Sequence, residues 1–181
     1  MAKKKAALSA TRAPRTSSAS PRTNHESYTD DFIKETLGRV RVIAVVGASA
    51  NWNRPSFFVM KYLQAKGYRM VPVNPKEAGT EILGERVHAS VSEIPHAVDM
   101  VDIFRNSEEA GIITDAAVAK GAKVVWMQIG VRNDAAARRA EAAGLTVVMN
   151  RCPKIEHSRL YGELSWGGFN SGVISSKRRK L

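Results

Sequence analysis

Five short apolar runs punctuate the chain, at residues 42–46, 68–73, 100–104, 123–127 and 146–149. Each is bounded by turn residues and rich in β-branched side chains, the pattern of strands buried on both faces of a parallel sheet. Between them the spacing becomes helical. Phe58, Val59, Tyr62 and Leu63 form an apolar stripe closed by Gly67. Ser107 is placed to cap a helix with Glu108 and Glu109 in its first turn, and Asn133 and Asp134 open another that stops at Gly144. A further helix over residues 28–37 should lean on an edge or face of the sheet. The alternation predicts an α/β fold, a Rossmann-like doubly wound parallel sheet of about five strands with helices on both faces. The expected strand order is 3-2-1-4-5, with a ligand at the carboxyl ends of the strands where the order reverses. The chain contains no internal repeat.

Length and charge narrow this picture. With 181 residues, 44% of them apolar, the chain suffices for one well-buried domain. Its formal charge of +11 suggests a polyanion partner until the charges are located. Residues 1–25 carry Lys3, Lys4, Lys5, Arg12, Arg15 and Arg22 without an acid, and Lys177, Arg178, Arg179 and Lys180 close the chain. The span between is nearly neutral, so a specific nucleic-acid-binding face is not expected, and salt-sensitive attraction through the ends is the rival reading. The domain expectation is a disordered basic tail over 1–26, a folded domain over 27–174 and a basic tail over 175–181. The opening Lys run favours plain basicity over an organellar presequence, and the final Arg-Lys-Leu lacks the small residue of a peroxisomal address. No apolar run is long enough for a signal-peptide core or a membrane span, and the single Cys152 fits a reducing compartment. A cytoplasmic protein is expected.

The loop after the first run, GASANWNRPS, should face the ligand. Gly47 permits a tight turn, while Ala48, Ser49 and Ala50 are small enough for backbone amides to approach a diphosphate. A helix starting near Pro55 and Ser56 would aim its positive end there, with Arg54, Ser49 and Ser56 as side-chain donors. The same motif also ends many strands as a plain structural turn. After the second run the chain reads NPKEAG, with Asn74, Pro75 and Lys76 where an NAD-binding fold carries an acid for the ribose hydroxyls. A cation at that place points to a phosphorylated ribose, hence to NADP or coenzyme A.

The segments VVGASANWNRPS, VPVNPKEAGTEILGERVHASVSEIP, VDMVDIFRNSEEA, VVWMQIGVRN and MNRCPKIEH occur in an order that resembles the stand-alone CoA-binding proteins. Their fold is similar to the N-terminal domain of the succinyl-CoA synthetase α subunit. The resemblance spans roughly residues 28–165. It implies that Gly47, Ala48, Ser49, Arg54 and Ser56 hold the CoA phosphates, and that Asn74, Pro75 and Lys76 meet the adenosine end with its 3′-phosphate. It further implies that Phe104, Arg105 and Asn106 border the adenine or ribose. Gln128, Gly130 and Val131 would line the path of the pantetheine arm. Position at the carboxyl ends of the third and fourth strands supports these last two groups independently. Their chemistry stays open: Phe104 also suits the core, Arg105 could pair with Glu108 or Glu109, and Gln128 could satisfy a buried loop.

The expected function is therefore non-catalytic binding of coenzyme A or an acyl-CoA, with coenzyme A as the ligand. The chain ends before a phosphohistidine domain of the kind the synthetase uses, which argues against a CoA ligase. The alternative is an NADP-dependent oxidoreductase, for which no hydride-transfer partner residue is evident. Cys152 follows the fifth strand on the ligand edge, where Arg151 and Lys154 would favour a thiolate able to form a mixed disulfide with CoA; the competing reading is a small buried hydrophobe. Glu156 and His157 are a candidate acid–base pair, or structural contacts. His88 and His96 have no metal-ligand spacing, so no metal is expected. Trp52 and Trp166 sit in loops where they could cover a ligand or partner, whereas Trp126 reads as core. Asp99 and Asp102 are expected to hydrogen-bond backbone near a turn. An edge strand leaves a homodimer open.

Overall fold

The computed structural model describes residues 24–161. Five strands form one parallel sheet: β1 (Val42–Val46), β2 (Arg69–Val73), β5 (Met100–Ile103), β6 (Val124–Met127) and β7 (Thr146–Val148), in the order β2-β1-β5-β6-β7. The two-residue strands β3 (Glu81–Ile82) and β4 (Glu85–Arg86) make a separate antiparallel hairpin. Helices α1 (Asp30–Gly38), α2 (Pro55–Ala65), α3 (Glu109–Ala119), α4 (Asp134–Ala142) and α5 (Pro153–Leu160) supply the outer layers.

The sheet strands are apolar throughout because both faces are covered. On one face, Ala110 and Ala117 of α3 and Ala136, Ala137 and Ala140 of α4 pack against Val71, Val101, Val125 and Val147. Alanine there lets the helices lie close to the sheet. On the other face, Ile33 and Leu37 of α1 and Val59, Met60 and Leu63 of α2 meet Ile43, Val45, Met100, Trp126 and Val148. Burying each such large side chain contributes roughly 1.5–3 kcal/mol, which makes these two layers the main source of stability. Trp126 is fully buried, as expected, with its Nε1 donating to Arg151 O at 2.8 Å.

The α/β sheet with helices on both faces is the predicted architecture, but the strand order 3-2-1-4-5 is corrected. The run at 100–104 becomes β5 and pairs with β1, so the five runs stand in the order 2-1-3-4-5. The outer flank of β2 is taken by His88, whose N–H donates to Pro72 O at 3.0 Å and whose carbonyl accepts from Asn74 N at 2.9 Å. Only one bridge forms there. Residues 74–99 contain a hairpin and turns but no helix to carry a full crossover onto that edge. The order still reverses beside β1, so the predicted ligand edge is unchanged.

Three local readings also change. Ser107 does not cap α3; Asn106 Oδ1 accepts from Glu109 N at 2.8 Å, while Ser107 Oγ accepts from Arg132 N at 3.0 Å. The stretch after β7 forms α5, which packs against α1 and α2. His25, counted with the basic tail, is packed: it is 7% exposed, and its Nε2 lies 3.3 Å from Glu141 Oε1. The rest of that tail, the tail at 175–181 and Trp166 lie outside the described residues.

Candidate functional site

At the carboxyl end of β1, between α2 and α3, a groove opens where the strand order reverses. Its first lobe, about 450 Å³, is lined by Gly47, Ala48, Ser49, Arg54, Ser56 and Asn74, with Phe104 and Arg105 from the end of β5. Gly47 is fixed by two requirements. Its φ is +91°, and a Cβ built there would lie 3.1 Å from Arg105 Cδ and 3.2 Å from Phe104 Cβ. Only glycine meets both without strain.

The amides of this loop are not all free for a ligand, which corrects the simplest form of the phosphate-cradle expectation. Gly47 N and Ala48 N both donate to Val73 O, at 2.9 and 3.3 Å. Ala50 N donates to Glu77 Oε2 at 3.1 Å, and Asn51 N to Ser49 Oγ at 3.2 Å. In this loop the open donors include the N–H groups of Ser49 and Ser56, the Ser49 and Ser56 hydroxyls and the Arg54 guanidinium. Helix α2 starts at Pro55 with no side-chain cap and no acid in its first turn. By contrast, α1 and α4 are capped by Thr29 and Asn133. The uncapped start leaves the positive end of α2 directed at the lobe.

A second lobe of about 250 Å³ shares Gly47, Asn74 and Arg105 with the first and continues over the α3 face. Its added lining is Val46, Pro75 and Lys76 on one side and Glu109, Ile112 and Ile113 on the other. Ile112 is 78% exposed, an apolar wall open to solvent. Arg105 spans the junction, held by Glu109 through bonds as short as 2.7 Å. That pairing holds the Glu109 carboxyl below the ordinary range and raises the guanidinium further.

Glu77 was missed from the sequence. Its carboxylate accepts from Asn74 Nδ2 at 3.1 Å and from Ala50 N at 3.1 Å, joining the β1–α2 loop to the loop after β2. Asn74 adds a 2.8 Å bond to Ala48 O and turns its Oδ1 to Lys76 N at 3.0 Å. An acid therefore does follow β2, occupied in shaping the groove. Its place three residues after Asn74 in a turn was the available signal. Ile112, one turn beyond Glu109 on α3, was marked only by helical spacing.

The remaining predicted residues lie apart from the two lobes. Asn106 is used on the start of α3. Gly130 and Val131 follow β6, with Gly130 N donating to Asn150 Oδ1 at 2.9 Å and Val131 buried in the α3/α4 core. Gln128 Nε2 donates to Asp102. Cys152 is buried in the opposite core, and burial pushes its thiol up from the ordinary value, which agrees with the reading as a small buried hydrophobe and not with the thiolate. Glu156 and His157 do not form an acid–base pair: Glu156 accepts from Arg159 at 2.8 Å, while His157 lies against Tyr62, Tyr68 and Tyr161. Asp99 accepts from the backbone of Arg41 and Val42, as expected, but Asp102 does not; it sits inside β5.

Comparison with known proteins places this arrangement. A model of the CoA binding domain matches residues 41–158, most of the chain and every strand of the sheet. The chain belongs to the CoA-binding domain family. This is the family that its motifs resemble. The domain is similar to the uncharacterized protein YneT of Bacillus subtilis, 38% identical over 126 residues that make up 70% of this chain and 92% of that protein. It is also similar to the α subunit of the ADP-forming acetate–CoA ligase I of Pyrococcus furiosus, 37% identical over 95 residues. That match takes in 50% of this chain and 21% of the subunit, so it concerns about a fifth of the ligase chain. A solved hypothetical protein from Pyrococcus horikoshii superposes with a TM-score of 0.70 at 43% identity, covering 75% of this chain and 94% of its own. No helix among the described residues is long and apolar enough to cross a membrane.

Proposed function

We propose that the domain binds coenzyme A or an acyl-CoA in the two-lobed groove and releases it unchanged. The observation that carries this reading is the pairing of two unlike lobes across Gly47. The uncapped start of α2, with Arg54, Ser49 and Ser56, suits a diphosphate. The second lobe offers Pro75 and Ile112 as apolar walls for a base and Lys76 at its border for a ribose phosphate. Family membership supports the same ligand class. Among the described residues the only carboxylate lining the groove is that of Glu109, already tied to Arg105, so the lining offers cations and hydroxyls and no free acid–base pair.

Lys76 tests the assignment of the adenosine end. Lys76→Ala should weaken CoA about tenfold, the loss of one charge-assisted contact, and leave dephospho-CoA nearly unaffected. Equal weakening of both ligands would remove Lys76 from the 3′-phosphate. Binding of NADP without binding of CoA would replace the proposal by its reductase alternative.

A further inference from the structure

Asp102 lies within β5 and is completely buried on the sheet face shared with α2 and α5. In register with it stand Val45 on β1 and Trp126 on β6, both apolar. Its one hydrogen-bonding side chain among the described residues is Gln128, whose Nε2 donates to Oδ1 and to Oδ2, each at 3.0 Å. Gln128 directly follows β6, and its backbone N–H donates to Ile103 O at 3.2 Å. It therefore stands beside Phe104, which lines the first lobe. Strand alternation places Asp102, Phe104, Trp126 and Gln128 on one face.

With Nε2 turned onto Asp102, the Gln128 oxygen has no partner among the described residues. It is also not one of the sealed, unsatisfied atoms, which are His25 Nε2, Thr114 Oγ1 and Glu141 Oε2. The Oε1 atom is therefore not sealed, and Gln128, which follows the carboxyl end of β6, is 7% exposed. We infer that Asp102 is a positioning residue that locks the Gln128 carboxamide with its oxygen outward, where it accepts an amide N–H from the ligand's arm as that arm leaves the groove past Phe104. The inference rests on the CoA reading, because the pantetheine arm carries two secondary amides while the adenosine diphosphate end carries none.

The lock depends on a proton. Burial pushes the Asp102 carboxyl up to about 8, and the Gln128 bond draws it back only partly. The elements around it bring few charges. Helix α5 contributes Cys152, whose thiol is itself raised by burial and by Asp102, and Lys154. Glu156 on the same helix is engaged by Arg159 and Arg151. The core-facing residues of α2, Ser56, Val59 and Met60, are uncharged, as are Val45 and Trp126. An ionised carboxylate only accepts and so admits Gln128 in a single orientation. A protonated carboxyl, with an O–H to give, admits both.

The test compares S-methyl-CoA, which cannot form a disulfide, with the β-methyl ester of 3′-phosphoadenosine 5′-diphosphate, whose terminal phosphate is esterified as in CoA but which lacks the arm. Both are titrated into the full chain and into Asp102→Asn at about pH 6 and about pH 9, two conditions that bracket the Asp102 transition. In the wild type the preference for S-methyl-CoA should rise about threefold to tenfold with pH, the worth of one hydrogen bond. In Asp102→Asn the preference should stay flat, and Gln128→Leu should lack the gain at both conditions. Effects on phosphates and on Lys76 cancel in the ratio. A flat wild-type ratio, or an equal rise in Asp102→Asn, overturns the inference while leaving CoA binding intact. Failure of both ligands to bind the wild type overturns the binding reading and the inference together.

Discussion

Gly47 joins the fold to the groove through a single missing methyl group. Its positive φ and the near contacts to Arg105 and Phe104 mean that Gly47→Ala must twist the loop or displace the end of β5. The expected cost is about 1–3 kcal/mol of stability, read as a lowered thermal midpoint, with loss of groove binding. Asp102 has the opposite character. Its folded-state pKa lies above the ordinary carboxyl value, so the folded protein keeps a proton that the unfolded chain gives up between about pH 4 and pH 8. Stability should fall through that window by up to about 1.4 kcal/mol per pH unit, and above it the cost is complete. Asp102→Asn should flatten the slope and be more stable than the wild type by a few kcal/mol at neutral and alkaline pH. Urea denaturation at several pH values measures this, and an unchanged slope would contradict it. The buried Cys152 thiol, raised from its usual value, should react with a thiol reagent only after unfolding. Rapid labelling of the native protein would contradict that placement.

The five strands of the main sheet were legible as elements because each is a short apolar run buried on two faces, a pattern few alternatives share; the two-residue, charged strands β3 and β4 were not. Helix α5 was not. It is eight residues long, and two of its three buried positions are Glu156 and His157, satisfied by Arg159 and by three tyrosine rings. Apolar periodicity does not mark such a helix. The segment before α1 was hidden for the same reason. His25 and Glu141 are buried together, and Tyr28 Oη links His25 Nδ1 at 2.9 Å to Met149 N at 2.8 Å. These contacts tie the beginning of the described chain to α4 and to the end of β7. His25→Ala should remove the bond to Tyr28 and leave a gap beside Glu141, destabilising the protein by about 1–2 kcal/mol. Chemical denaturation checks this, and a neutral effect would show that the segment contributes little. Strand order was beyond the local pattern because it depends on how residues 74–99 travel, and the single His88 bridge has no counterpart in hydrophobic periodicity.

At the scale of the molecule, the groove is assembled from the ends of β1, β2 and β5 and the starts of α2 and α3. A doubly wound sheet brings these together wherever its order reverses, so the place of the site followed from topology alone. Residues read in the two loops after β1 and β2, with Phe104 and Arg105, do meet there. The pairing of Arg105 with Glu109 was among the readings open in the sequence; the working parts that escaped it are tertiary, for Glu77 binds two loops to each other and Asp102 turns Gln128. Each acts through a partner distant in sequence or through a rotamer, which spacing does not encode. The central claim is that this groove recognises coenzyme A through a diphosphate and a phosphorylated ribose. Isothermal titration of the full chain with CoA, NADP and NAD tests it most directly. The account predicts saturable one-to-one binding of CoA and no comparable binding of NAD; absence of CoA binding under conditions where the chain is folded would contradict it.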